Sequence, residues 1–209
     1  MLEHFFVTGS TDRTVRLWNN IGEIVRIINV SKSKILSIDC LADGKTLAIG
    51  GSGGLLRLYD AASGLLYREL SSGIEPGHTN DIRALAVMPG GKFLASAGFD
   101  KKIIFWDWES GKVTKTFIGH TAGVVSLDIS YDGRFLLSGS IDKRIILWDI
   151  ESAAPYASFA GHSGVVTSVR FLNDKSSFIS GSEDKSIRIW DLKTGILKRT
   201  IPLAGAEHL

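Results

Sequence analysis

The stretch Val124-Val125-Ser126-Leu127-Asp128-Ile129, with the turn Tyr131-Asp132-Gly133 behind it and Gly119-His120 ahead of it, decides the fold. Its six residues alternate apolar and polar before the turn. Phe135 to Gly139 is a second apolar run, Ile141-Asp142-Lys143 turns, and Arg144 to Asp149 is a third run. Glu151-Ser152 turns again and Tyr156 to Phe159 completes a fourth. Strands of about five residues joined by loops of two to five residues make a four-stranded antiparallel meander. One such sheet cannot cover both its faces, so it needs stacked neighbours.

The rest of the chain supplies them. Trp18, Tyr59, Trp106, Trp148 and Trp190 recur at spacings of 41, 47, 42 and 42 residues. His78, His120 and His162 keep the same period, each preceded by Gly and each 28 residues before a tryptophan. Asp107, Asp149 and Asp191 follow three of the tryptophans, and Asn19 follows Trp18. A period near 42 made of short strands is the signature of a propeller or a similar array.

Composition sets the outer limits. The chain has 209 residues, of which 44% are hydrophobic and 22% charged, with 23 glycines and 5 tryptophans. Its net charge of +2 provides no global basic field for non-specific nucleic-acid binding. A single cysteine, Cys40, cannot form an internal disulfide and fits a reducing compartment; it reads as a small buried hydrophobe. Polar residues interrupt every apolar run before the roughly 20 residues that a spanning helix needs. The amino terminus lacks the basic and apolar regions of a signal peptide. The expected address is intracellular, cytoplasmic or nuclear, with no membrane association.

A Gly-His pair, an Asp 22 residues after the His and a Trp-Asp pair beginning six beyond resemble the WD-repeat β-propeller family over essentially the whole chain. The resemblance implies an all-β propeller of about five blades in one domain, 1–209. Blade 1 is partial (1–30), blade 2 degenerate (31–70), and blades 3, 4 and 5 span 71–117, 118–159 and 160–202. It also implies a structural hydrogen-bond network in each regular blade. The matching positions are His78, Ser96, Asp100 and Trp106; His120, Ser138, Asp142 and Trp148; and His162, Ser180, Asp184 and Trp190. Thr8, Asp12 and Trp18 supply the same set without a histidine. Ser, His and Asp also make hydrolase triads, but a catalytic set occurs once and sits in a cleft. This one occurs three times with a Trp attached, so no catalytic residue is assigned. Histidines 42 residues apart lie on different blades and Cys40 stands alone, so no metal site is assigned and no cofactor is expected.

The repeat departs from its own pattern in two places, the second of which reads either as a binding loop or as drift in a tolerated surface loop. In blade 2 the network positions become Ser31, Ile49 and Gly53, with Tyr59 for the Trp. Five extra residues then enter within Ser71 to Pro76, a loop on the rim that carries the turn aspartates. In the family that face is the usual docking surface. Here it carries Phe99, Ile141 and Glu183 before the turn aspartates, and Asp81, Arg83, Val125, Val165 and Thr167 at the strand entries. Phe99, Ile141 and Val125 form an apolar patch ringed by charge, the composition of a protein interface. Lys101 and Lys143, with Arg13 and Lys185, place a basic residue after four of the five turn aspartates or their equivalents. The expected function is a non-enzymatic scaffold that binds proteins or peptides and takes no small-molecule substrate. The alternative is a module that binds nucleic acid or a phosphorylated ligand through the basic ring.

The chain opens in mid-blade, with Phe5 to Thr8 as a second strand, and its first blade therefore has three strands. Three architectures accommodate that count: a fragment of a larger, seven-bladed propeller; an open array completed by a partner's strand; and a small closed ring with one incomplete blade. A fragment or incomplete propeller is the expectation.

Overall fold

A computed structural model describes residues 6–30 and 33–203, apart from the side chain of Ser72. Phe5, Ser31 and residues 204–209 lie outside the described residues, so the expectations placed on them are not addressed. Nineteen strands are described, in five antiparallel meanders taken in chain order. The first sheet holds β1 (Phe6–Gly9), β2 (Thr14–Trp18) and β3 (Ile24–Asn29). The second holds β4 (Ile35–Cys40), β5 (Thr46–Gly51), β6 (Leu55–Asp60) and β7 (Leu66–Ser72). The third holds β8 (Ile82–Val87), β9 (Phe93–Gly98), β10 (Lys102–Asp107) and β11 (Lys112–Ile118). The fourth holds β12 (Val124–Ile129), β13 (Phe135–Ser140), β14 (Ile145–Asp149) and β15 (Ala154–Phe159). The fifth holds β16 (Val166–Phe171), β17 (Ser177–Ser182), β18 (Ser186–Asp191) and β19 (Leu197–Pro202). The protein is all-β, and its sheets are those of propeller blades.

Local chemistry closes the turns. At the end of β12, Asp132 accepts hydrogen bonds from Arg134 N–H (3.1 Å) and the Ser130 hydroxyl (2.6 Å). Asp43 and Asp174 cap the corresponding turns of the second and fifth sheets. Each pairing of a sheet's last two strands slips by one residue at the marker aromatic: Leu17/Trp18, Leu58/Tyr59, Phe105/Trp106, Leu147/Trp148 and Ile189/Trp190. Bulges of this kind add twist to a sheet.

The core lies between sheets rather than within them. In the third, fourth and fifth sheets one face carries the tryptophan and packs on the sheet before it: Trp106 clusters with Leu56 and Leu58, Trp148 meets Phe117 at a 5.7 Å ring separation, and Trp190 meets Phe159 at 5.8 Å. The facing surface seats the next sheet through a recurrent contact. A Cβ added at Gly9, Gly50 or Gly139 would lie 2.5 Å from Ile35, 2.7 Å from Ile82 or 2.9 Å from Val166, the β-branched residue that opens or nearly opens the next inner strand. At the equivalent Gly181, the nearest atom is the Ser168 Cβ at 3.9 Å.

Polar ties reinforce two of these junctions. Between the second and third sheets, Ser37 donates to the Ile82 carbonyl (3.3 Å) and Asp39 accepts from Val87 N–H (3.2 Å). Between the fourth and fifth, Ser126 accepts from Val169 N–H (3.0 Å) and Asp128 from Phe171 N–H (2.7 Å). Ala84 and Ala86 occupy these places in the third sheet, whose junction with the fourth is apolar instead. On the outside, Arg26, Arg68 and Lys115 reach the carbonyls of Ser63, Ser110 and Ile150 in the following sheet. Inner strands β4, β8, β12 and β16 follow one another around the axis, and β1 packs on β4. Among the described residues, substantial packing joins the sheets in chain order and does not join the fifth to the first, so the array is not closed.

The degenerate second sheet is rebuilt rather than empty. Ile49 is buried where the other sheets hold a network serine. Ser33 donates to the carbonyls of Lys34 and Ser52, and the Ser52 hydroxyl accepts from Lys34 N–H. Part of the expected insertion extends β7 to Ser72, and Gly73 then lies against the Gly53 carbonyl. Cys40 is half-buried rather than fully enclosed.

Candidate functional site

The loops before the inner strands and the turns between second and third strands meet at one end of the array, called here the upper end. Beneath it lie three copies of one hydrogen-bond chain. His78 Nδ1 is 2.9 Å from Asp100, and its Nε2 is 2.8 Å from Ser96 Oγ, which also takes Trp106 Nε1–H at 2.7 Å. The fourth sheet repeats this at 2.8, 2.7 and 2.8 Å through Asp142, His120, Ser138 and Trp148. The fifth repeats it at 2.7, 2.8 and 2.8 Å through Asp184, His162, Ser180 and Trp190. A neutral imidazole satisfies every group: Nδ1–H donates to the carboxylate, the serine O–H donates to Nε2, and the serine oxygen accepts the indole N–H.

The charges agree with that proton inventory. Burial pushes the His120 pKa down more than Asp142 raises it, which favours the neutral ring. Burial opposes ionisation of Asp100, Asp142 and Asp184. Hydrogen bonds from the histidines and from Thr79, Thr121 and Ser163 N–H outweigh it, and each carboxyl stays below its ordinary range. Ser186 adds a further bond to Asp184. The three serines are at most 1% exposed, so no substrate can reach their hydroxyls. In the first sheet Trp18 donates to Thr8 (2.9 Å), while Asp12 turns to Thr14 and Arg16 in place of a histidine.

Above this layer, the side chains proposed for docking separate into groups. Phe99 and Ile141 both lie against Gly123, where an added Cβ would be 2.8 and 3.3 Å from them. The Arg83 guanidinium lies over the Phe99 ring at 5.2 Å. Phe99 and Val125 are half-buried, and Ile141 is 39% exposed. Asp81 is committed elsewhere, since its carboxylate accepts Gly53 N–H at 2.9 Å and its carbonyl accepts Phe99 N–H. Val165, Thr167 and Glu183 belong to the fifth sheet, where the Val165 carbonyl takes Glu183 N–H and the Thr167 hydroxyl donates to Gly181.

The residue after each turn aspartate, or its equivalent, is left-handed: Arg13 (φ 71°), Gly54 (77°), Lys101 (70°), Lys143 (68°) and Lys185 (62°). Glycine adopts this conformation without a Cβ penalty. Four sheets nevertheless place a cation there. Among the described residues, Arg83, Lys101, Lys143, Arg144 and Lys185 have no carboxylate within 4.0 Å. Lys102 and Arg16, beside the same turns, pair with Glu75 and Asp12, and Lys92, Arg134, Arg170 and Lys198, away from this end, each have a carboxylate partner. Sequence reasoning did not single out Arg144, though it adjoins Lys143 and adds to the same charge. Among the described residues no group of three His, Cys, Asp or Glu could hold a metal ion.

Comparison with known proteins agrees with this geometry. The family profile described as "WD domain, G-beta repeat" matches residues 3–19, 70–107, 111–149 and 153–191. A stretch of 116 residues is 39% identical to nuclear distribution protein PAC1-1 of Uncinocarpus reesii, covering 55% of this chain and 16% of that protein. A stretch of 113 residues is 29% identical to autophagy-related protein 16 of Arabidopsis thaliana, covering 53% of this chain and 21% of the relative. The human F-box-like/WD repeat-containing protein TBL1Y is 30% identical over 125 residues, 53% of this chain and 23% of that protein. The matched stretch is thus less than a quarter of each of these relatives.

Proposed function

The chain belongs to the WD-repeat family, and on that premise we propose that it is a non-enzymatic scaffold that docks proteins or peptides on its upper end. The observation that carries this is the Arg83–Phe99–Gly123–Ile141 cluster, with apolar side chains gathered from two adjacent sheets and unpaired cations around them. Interfaces combine an apolar centre with a charged rim, and aromatic and arginine side chains supply much of their binding energy. Val125 and the flanking Lys101 and Lys143 extend the surface, and Glu183 and Thr167 bound it on the fifth sheet. The rigidity comes from the buried networks, which fix the turns that hold Phe99 and Ile141.

The three Ser-His-Asp sets are structural on this reading, because their serines are enclosed and their hydrogen bonds are already satisfied. The lone half-buried Cys40 fits an intracellular setting, and among the described residues no helix is long and apolar enough to cross a membrane. The test is a pull-down with Phe99→Lys plus Ile141→Lys: partners of the native chain are lost from the variant, and retention of every partner sinks the assignment.

A second reading has its own support, the left-handed Lys101, Lys143 and Lys185 with no ion-pair partners. It makes the same end a receptor for a phosphorylated or nucleic-acid ligand. It requires binding that weakens steeply with salt, and replacement of the three lysines by glycine removes that dependence without straining the turns.

A further inference from the structure

At the end opposite the histidine loops, the junction between the fourth and fifth sheets holds a cleft of about 600 Å³. Its apolar walls are Ile129, Tyr131 and Phe135 from the fourth sheet, Phe171, Leu172 and Leu192 from the fifth and Pro89 from the third; Asp128, Ser130, Asp132, Asn173 and Lys175 complete the lining. We propose that this cleft is a second protein-binding site, which takes bulky apolar side chains of a partner peptide.

The repeat itself shows what fills such a junction. Trp108, Ile150 and Leu192 are equivalent, since each follows a Trp-Asp pair and donates its backbone N–H to the turn ahead of the second strand, at Lys92, Arg134 and Ser176. Leu41, Met88 and Ser130 are equivalent at the end of the first strand, where each N–H bonds across to the second. Between the second and third sheets, Leu41 and Trp108 are both buried in one apolar cluster. Between the third and fourth, Ile150 is buried with Met88 packed beside it. Between the fourth and fifth, a serine stands in place of Leu or Met, and Leu192 is only partly buried.

Ser130 cannot take over the filling role. Its hydroxyl is held by Asp132 (2.6 Å) and Phe135 N–H (2.9 Å), away from an apolar partner. The space therefore keeps an aromatic and aliphatic wall that no side chain of the repeat covers, beside the polar Asp132, Asn173 and Lys175, and Tyr131 is 84% exposed. A volume of this size lies within the range of ligand pockets and exceeds one side chain. The chemistry that fills the other two junctions from within, an indole, a thioether or a branched aliphatic group, is the chemistry a partner must bring here. The site is independent of the upper end, so either surface can fail without the other.

The test uses the whole chain, isotopically labelled, and the probe acetyl-Gly-Trp-Leu-Gly-amide, with acetyl-Gly-Ser-Ser-Gly-amide as control. Saturable amide shifts confined to 129–135, 171–175 and 192 with the first peptide alone are expected. Filling the space from within, by Ser130→Leu with Leu192→Trp or by Leu192→Trp alone, weakens the probe at least about tenfold, equivalent to about 1.4 kcal/mol. No shifts at millimolar peptide, shifts spread over other surfaces, or equal binding by a folded filled variant would overturn the proposal. The native-protein titration decides even where a variant fails to fold.

Discussion

At the scale of single residues, the account rests on a proton inventory. In the fourth sheet, Trp148, Ser138, His120 and Asp142 each have a partner, and removal of one leaves the others buried and unsatisfied. Asp142→Ala is expected to lower stability by about 1–3 kcal/mol, measured by urea denaturation, and an unchanged midpoint would count against the network. Asp142→Asn keeps an acceptor and costs less. Acidity acts in the same direction at two levels. The His120 pKa lies below its ordinary value of 6.5, so stability is held above that pH and declines as pH falls through it. Asp100, Asp142 and Asp184 lie below 3.8, so their contribution is present above 3.8 and is lost as pH falls further. The native chain's stability advantage over His120→Gln should therefore narrow as pH falls from 7 to 4, and an advantage independent of pH would contradict this proton count.

At the scale of strands and sheets, each glycine lock is made by the sheet that follows, and among the described residues no sheet follows the fifth. Gly139 and Gly181 hold equivalent places, yet a Cβ meets Val166 Cγ1 and the Val166 carbonyl at 2.9 Å in the first case and only the Ser168 Cβ, at 3.9 Å, in the second. Gly139→Ala should therefore destabilise by about 1–3 kcal/mol through overpacking, while Gly181→Ala is neutral or slightly stabilising in a calorimetric comparison. Equal effects would remove the lock. Asp128 titrates in the opposite sense to the network carboxylates. Burial raises its pKa more than Phe171 N–H and Arg170 lower it. Its contribution is present below 3.8 and declines as pH rises through the raised pKa. Asp128→Asn keeps an acceptor for Phe171 N–H without the buried charge. Its stability relative to the native chain should improve as pH rises from 3.8, and a difference independent of pH would contradict the assignment.

At the scale of the molecule, the spacing of Trp106, Trp148 and Trp190 made the all-β repeat legible, because each sheet obeys the same turn and register rules. What could not be read is what depends on neighbours. Phe99 and Ile141 are 42 residues apart and are brought to the same place beside Gly123 only when two sheets stack. Asp81 looked free for a partner, but its carboxylate is bound to Gly53 N–H from the preceding sheet. The cleft opposite was encoded as Ser130 and Leu192 in places held elsewhere by Met88 and Trp108, a signal visible only when the repeats are aligned by their junctions. The central claim is that the upper end is where this scaffold meets its partners. Hydrogen exchange of the chain with and without a purified native partner tests it most directly. Slowed exchange at 99–101, 123–125 and 141–144 is expected, and unchanged exchange there with protection only elsewhere overturns the assignment.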